Sequence, residues 1–286
     1  MIKKLFVFTI ILALFALMVP VSSQTTNAAG PKIDLPEQAG VYDVPGNPHL
    51  KLRVFVHPAK NQNHEKQDNK AKPAGKGKPA PPPPTETCSP TNTADPDSSA
   101  VVNGAGWSLP STWVYRLNLG SVPSSVGSGN LATITDSSYN AWLNAAPNVS
   151  AAVSITRGSD TGTNRARLDG QNIITWGRTS GSALATSYVW YYTATGIAAE
   201  VDTIMNKKFS WKWSDPATWP SGQTCAYQGV YDAQDILTHE LGHTMGLADE
   251  YESAYQHNTM YGYGSTGETK KNTLTTGDKV GVENLY

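Results

Sequence analysis

Apolar and polar positions fall into distinct regimes along this chain. Residues 1–23 begin with Lys3 and Lys4, run through an apolar stretch from Leu5 to about Val19, and end on the small residues Ser22 and Ser23. This predicts a secretory signal peptide, because the stretch is shorter than the ~20 residues a bilayer-spanning helix needs. Between Leu50 and Val56, the residues Leu50, Leu52, Val54 and Val56 alternate with Lys51, Arg53 and Phe55, a period of two that predicts a strand. Residues 57–87 lose that pattern. Lys60, Lys66, Lys70, Lys72, Lys76 and Lys78 are scattered among Asn, Gln and Ala, and a proline-rich run follows from Pro79 to Pro84. Such chain stays solvated, extended and open to proteases.

Beyond residue 100 the periodicity of a folded domain sets in. Strands are expected at Trp113–Leu119, Ala151–Thr156, Asn172–Trp176, Ser187–Tyr192 and Ile197–Met205. A helix is expected over Asp136–Ala146, capped by Asp136 and burying Tyr139, Trp142 and Leu143, and a second one from about Ala233. Strands after an early helix, closed by another helix, predict an α/β domain with a mixed sheet. The expected organisation is a signal peptide at 1–23, a small removable N-terminal pro-segment at 24–56, a Lys/Pro-rich linker at 57–99 and one domain at 100–286.

Composition narrows the function. The net charge is −1, and from residue 101 onward 15 acidic residues outnumber 11 basic ones, which argues against nucleic acid as a partner. All eight tryptophans lie between Trp107 and Trp219, inside the expected domain. Two cysteines exclude a disulfide-dense scaffold. In a secreted chain they are expected to pair, Cys88 with Cys225.

The chemistry concentrates at residues 238–250, THELGHTMGLADE. His239 and His243 are four apart, so on a helix both imidazoles project from one face and can bind one metal ion. Glu240, beside the first of them, is placed to act as general base. Ile236, Leu237, Leu241, Met245 and Leu247 make the helix apolar enough to be buried, and buried histidines need partners. Gly246 suits a helix end that turns the chain back, bringing Asp249 toward the metal. Glu250 and His257 are the alternative third ligands. Two histidines and one carboxylate leave a coordination position free, as a catalytic zinc site requires.

These residues fit H-E-x-x-H-x-x-G-x-x-(H/D), and Met260 follows within Asn258-Thr259-Met260-Tyr261. The sequence resembles the metzincin metallopeptidases, and among them the matrixin group, with Asp249 where most members have histidine. Met260 matches the family's Met-turn. Trp113–Leu117 is similar to its first strand, Asn172–Trp176 to its central strand, Glu200–Trp211 to its substrate-flanking edge strand and Thr275–Tyr286 to its final helix. The resemblance implies a metzincin-like catalytic domain over about 107–286. It further implies a secreted, extracellular zinc endopeptidase that acts as a monomer, free of the membrane, on extended peptide laid along the Ile197–Met205 strand. Calcium or a second zinc is the further ion the resemblance allows, with Asp160, Asp169 and Asp202 too scattered to assign as ligands. Cys88, in TETCSPT, lacks the arginine, glycine and aspartate of the family's zinc-blocking cysteine motif. The competing expectation is a secreted binding protein of the same fold, stabilised by zinc and without turnover.

Overall fold

In the computed structural model the described residues are 35–60 and 83–286. The expected signal peptide and most of the Lys/Pro-rich stretch lie outside them. The described residues form eleven strands and five helices: β1 (Gly40–Asp43), β2 (Leu50–Pro58), β3 (Glu86–Pro90), α1 (Thr91–Ala94), β4 (Thr112–Leu117), α2 (Asn130–Leu143), α3 (Pro147–Ala152), β5 (Ser154–Arg157), β6 (Asn172–Gly177), β7 (Ala183–Tyr192), β8 (Ala198–Asn206), β9 (Trp211–Lys212), β10 (Gln223–Tyr227), β11 (Tyr231–Asp232), α4 (Ala233–Met245) and α5 (Thr276–Glu283). Seven strands form one mixed sheet in the order β1-β2-β7-β8-β6-β4-β5. Strands β5, β4, β6 and β8 run parallel, whereas β7, β2 and β1 pair antiparallel.

This arrangement corrects several expectations. The Ile197–Met205 segment, expected to flank the substrate as an edge strand, is β8, and it lies inside the sheet between β6 and β7. All of its residues but Ala199 are buried, Glu200 and Asp202 included, as befits a strand covered on both faces. The helix expected from Asp136 begins at Asn130, because Leu131 and Ile134 extend the buried stripe upstream. Asp136 is therefore mid-helix and accepts a hydrogen bond from the Tyr115 hydroxyl instead of capping. Within the expected Ala151–Thr156 strand, Ala151 and Ala152 instead close α3, which opens with Pro147 in its first turn, where a missing N–H is harmless.

The N-terminal segment differs most. β2 alone has no partner core, yet here it pairs with β7 along its whole nine-residue length, Leu50 facing Tyr192 and His57 facing Ala185. Leu50, Leu52 and Val54 join Tyr188, Trp190, Ile173 and Ile204 in a small core on one sheet face. Phe55 and His57 point to the other face, against α4. The linker expected over 57–99 is likewise narrower, since β3 and α1 occupy Glu86–Ala94. Asp97 also binds the Thr276 backbone N–H and hydroxyl.

The main core fills the space between sheet and helices, with Trp142, Trp176 and Trp211 fully buried. Helix α4 lies in its centre, and every one of its residues from Ala233 to Met245 is buried. Asp232 caps it by accepting from the Gln234 and Asp235 N–H groups.

Strands β3 and β10 place Cys88 opposite Cys225, and the two form a disulfide across 137 residues of sequence. Closing so long a loop is worth about 5 kcal/mol on the chain-entropy model. The double variant Cys88→Ala/Cys225→Ala should unfold roughly 10 °C or more below the wild type. An unchanged Tm in a thermal scan would contradict a stabilising bridge.

Candidate metal and catalytic site

Helix α4 brings His239, Glu240 and His243 to the face it turns toward β2 and β7. Its end is fixed by Gly246, whose φ of 107° is in the left-handed region. A Cβ at that position would lie 2.1 Å from the Trp107 carbonyl oxygen, so only glycine turns the chain there. The returning segment delivers Asp249, with Oδ1 3.1 Å from His239 Nε2 and 3.4 Å from His243 Nε2. The ligand atoms of His239, His243 and Asp249 all lie within 4.8 Å of one another.

The other imidazole nitrogens are spoken for. His239 Nδ1 donates to the Thr259 carbonyl at 2.7 Å and His243 Nδ1 to the Leu247 carbonyl at 2.9 Å. Each bond leaves Nε2 as the unprotonated, metal-facing nitrogen. His243 Nε2 is buried without a hydrogen-bond partner, an orphan that a metal ion would satisfy. Two imidazoles and a carboxylate suit zinc. Burial pushes the Asp249 carboxyl up, but the His243 and His239 imidazoles outweigh it and hold the group well below the usual carboxylate range. Burial and the nearby Lys271 ammonium push His239 down to about 3, keeping it neutral.

The alternative third ligands lie elsewhere. Glu250 Oε1 accepts from the Asn103 backbone N–H at 3.0 Å and from its side chain at 2.7 Å. His257 Nε2 lies 3.2 Å from the neighbouring Gln256 amide. The calcium candidates are also dispersed. Asp202 binds the backbone N–H groups of Arg167 and Ile173, and neither it nor Asp160 and Asp169 belongs to a metal-competent group among the described residues.

Met260 lies beneath this cluster, fully buried. A Cβ at Gly242 would come within 2.2 Å of the Met260 sulfur, so the glycine lets the turn approach the helix. Asp278, at the start of α5, accepts from the backbone N–H groups of Thr259 and Met260 and closes a capping box with Thr275. The carbonyl that orients His239 and the methionine below it are thus set by one carboxylate.

Glu240 is fully buried. Its Oε2 accepts from Ser187 Oγ of β7 at 2.6 Å, and Oε1 lies 3.2 Å from His57 Nδ1 of β2. Burial pushes its carboxyl up to about 7. Three residues at this site escaped the sequence reading, Ser187, Phe55 and His57, and Lys271 of the loop after Met260 joins them. Phe55 stacks on the His243 ring with centroids 3.7 Å apart, and the His57 ring lies 3.9 Å from that of His239. Only the alternation of Leu50–Val56 hinted that this segment was structured, and nothing in it marked a partner.

The sequence model of the matrixin family matches residues 159–286. The matched stretch, which carries the α4 motif, Asp249 and Met260, is similar to matrixins. The match implies a zinc metallopeptidase-type hydrolase acting on peptide or protein. Comparison with curated proteins returns no match. Among the described residues, no helix is long and apolar enough to cross a membrane.

Zinc content separates the candidate ligands. Asp249→Ala should weaken zinc binding by more than the ~10–100-fold that losing a group behind a ligand costs, while Asp249→His should retain about one equivalent. Full zinc retention in Asp249→Ala, measured by competition with a chelator, would move the role to another residue.

Proposed function

We propose that the protein is a secreted zinc-dependent endopeptidase, made as a precursor whose own N-terminal strand fills the substrate groove. The observation that carries this reading is Glu240, buried beside the His239, His243 and Asp249 cluster at the rim of β7. A site that only bound zinc for stability would have no use for a carboxylate there.

His239, His243 and Asp249 would hold the zinc. The bound ion would polarise the scissile carbonyl and bring the pKa of a water down toward neutrality. Substrate would lie antiparallel to β7 as a further strand, held by main-chain hydrogen bonds of the kind β2 makes there. Glu240 Oε1 would take a proton from the attacking water and pass it to the leaving amine. The Ser187 hydroxyl, bonded to Oε2, keeps the carboxylate from rotating. A carboxyl held near 7 by burial can both accept and release that proton close to neutral pH.

β2 supports the precursor reading. It runs along β7, and its C-terminal end is clasped from the other side, where Lys60 N–H donates to the Gly264 carbonyl at 2.8 Å and Gly264 N–H to the Pro58 carbonyl at 3.2 Å. His57 takes up the Glu240 oxygen that would otherwise face water. Phe55 covers His243, leaving extended substrate no room. Residues 61–82 join this strand to β3, and the Cys88–Cys225 bridge keeps β3 attached after any cut in that stretch.

Glu240→Gln should retain zinc but lose ~10²–10⁴-fold in peptide hydrolysis. Undiminished turnover would remove Glu240 from the reaction, and a zinc-loaded wild type that cleaves nothing would favour the binding protein. In the intact chain, Phe55→Ala with His57→Ala should raise peptidase activity at least ~10-fold, because loss of a buried aromatic loosens the strand. An intact wild type as active as this variant would contradict latency.

A further inference from the structure

Lys271 is fully buried, yet it sits at the wall of the candidate site and has no part in the reaction just described. Its Nζ donates to the Tyr261 carbonyl at 2.5 Å and to His57 Nε2 at 3.2 Å. It also lies 3.5 Å from His239 Nδ1, but that nitrogen donates to Thr259 and offers no lone pair. His57 thus bridges two ends of one pocket: its Nδ1–H donates to Glu240, and its Nε2 accepts from Lys271. The pocket is closed, since the His57 side chain is fully buried.

The chemistry changes when β2 leaves. Lys271 then keeps a single acceptor, the Tyr261 carbonyl, for its three N–H donors. An alkyl or phenyl side chain entering the pocket would exclude water and leave the ammonium under-bonded, an arrangement that buried charges strongly resist. A side chain ending in an acceptor at the place of His57 Nε2 would restore the bond. We infer that Lys271 is a specificity-determining residue, and that the pocket filled by His57 takes a substrate side chain ending in a hydrogen-bond acceptor, namely Glu, Gln or His, next to the scissile bond. The inference rests on the endopeptidase reading for its substrate, whereas the chemistry of the pocket can be tested without turnover.

The first test uses the intact chain and needs no activity. His57→Gln and His57→Leu are compared by thermal unfolding in the wild-type background and with Lys271→Met. With Lys271 present, His57→Leu should unfold about 3 °C or more below His57→Gln. With Lys271→Met the order should vanish or reverse, the signature of direct coupling. Should Lys271→Met fail to fold, Lys271→Gln takes its place, and the comparison at position 57 still decides. His57→Leu as stable as His57→Gln beside Lys271 would overturn the inference. The second test maps peptide bonds cut in a denatured protein mixture by the zinc-loaded, proteolytically matured enzyme. Glu, Gln and His should be enriched at one position flanking the cut, and an otherwise identical Glu peptide should exceed its Leu counterpart at least ~10-fold in kcat/KM. Cleavage enriched in Leu or Phe at both flanking positions would overturn the specificity. Absence of all cleavage would sink the endopeptidase reading and leave the position-57 comparison to judge the pocket.

Discussion

The structure turns on one constraint: a helix buried along its whole length carries two histidines and a glutamate, and each buried polar atom must find a partner. The surrounding elements are arranged to supply those partners. Carbonyls of Thr259 and Leu247 take the two Nδ1–H groups, β7 offers Ser187, and the returning chain brings Asp249. Trp107 and Trp142 donate their indole N–H groups to the helix carbonyls of His243 and Thr238. Among the histidine and glutamate atoms of the motif, His243 Nε2 is left without a hydrogen-bond partner, on the side where the three candidate ligands converge.

A second constraint comes from the sheet. Without β2, strand β7 would present an open edge of unpaired main-chain groups, a template for any extended peptide. If the chain binds peptide by strand addition, as proposed, this edge would be the working surface that β2 covers. β2 covers it in register, and the alternation that sends Leu50, Leu52 and Val54 into one core sends Phe55 and His57 onto the site. On the proposed reading, stability and blockade would come from the same strand.

Much of the site was legible because its signal is local. His239, Glu240, His243, Gly246 and Asp249 lie within eleven residues, and helical geometry plus one glycine turn nearly determines their arrangement. The mixed α/β class followed from strand and helix periods. What escaped was long-range. Ser187 is 53 residues from Glu240, His57 is 183 away, and Lys271 meets His57 across 214 residues. A lone Ser in a strand, a His beside a proline and a Lys in a polar loop carry no periodic mark. Strand order was misjudged for the same reason: β8 reads like a strand at any position, and only its pairing with both β6 and β7 makes it interior. The early start of α2 was hidden by Asn130 and a preceding Gly/Ser-rich stretch that resembles loop.

The most direct test of this account is anomalous X-ray scattering at the zinc edge from crystals of the intact chain grown with zinc. A single strong peak is expected about 2.0–2.2 Å from Nε2 of His239, Nε2 of His243 and a carboxylate oxygen of Asp249, with β2 still paired to β7 above it. A peak on Glu250 or His257, or none near α4, would contradict it.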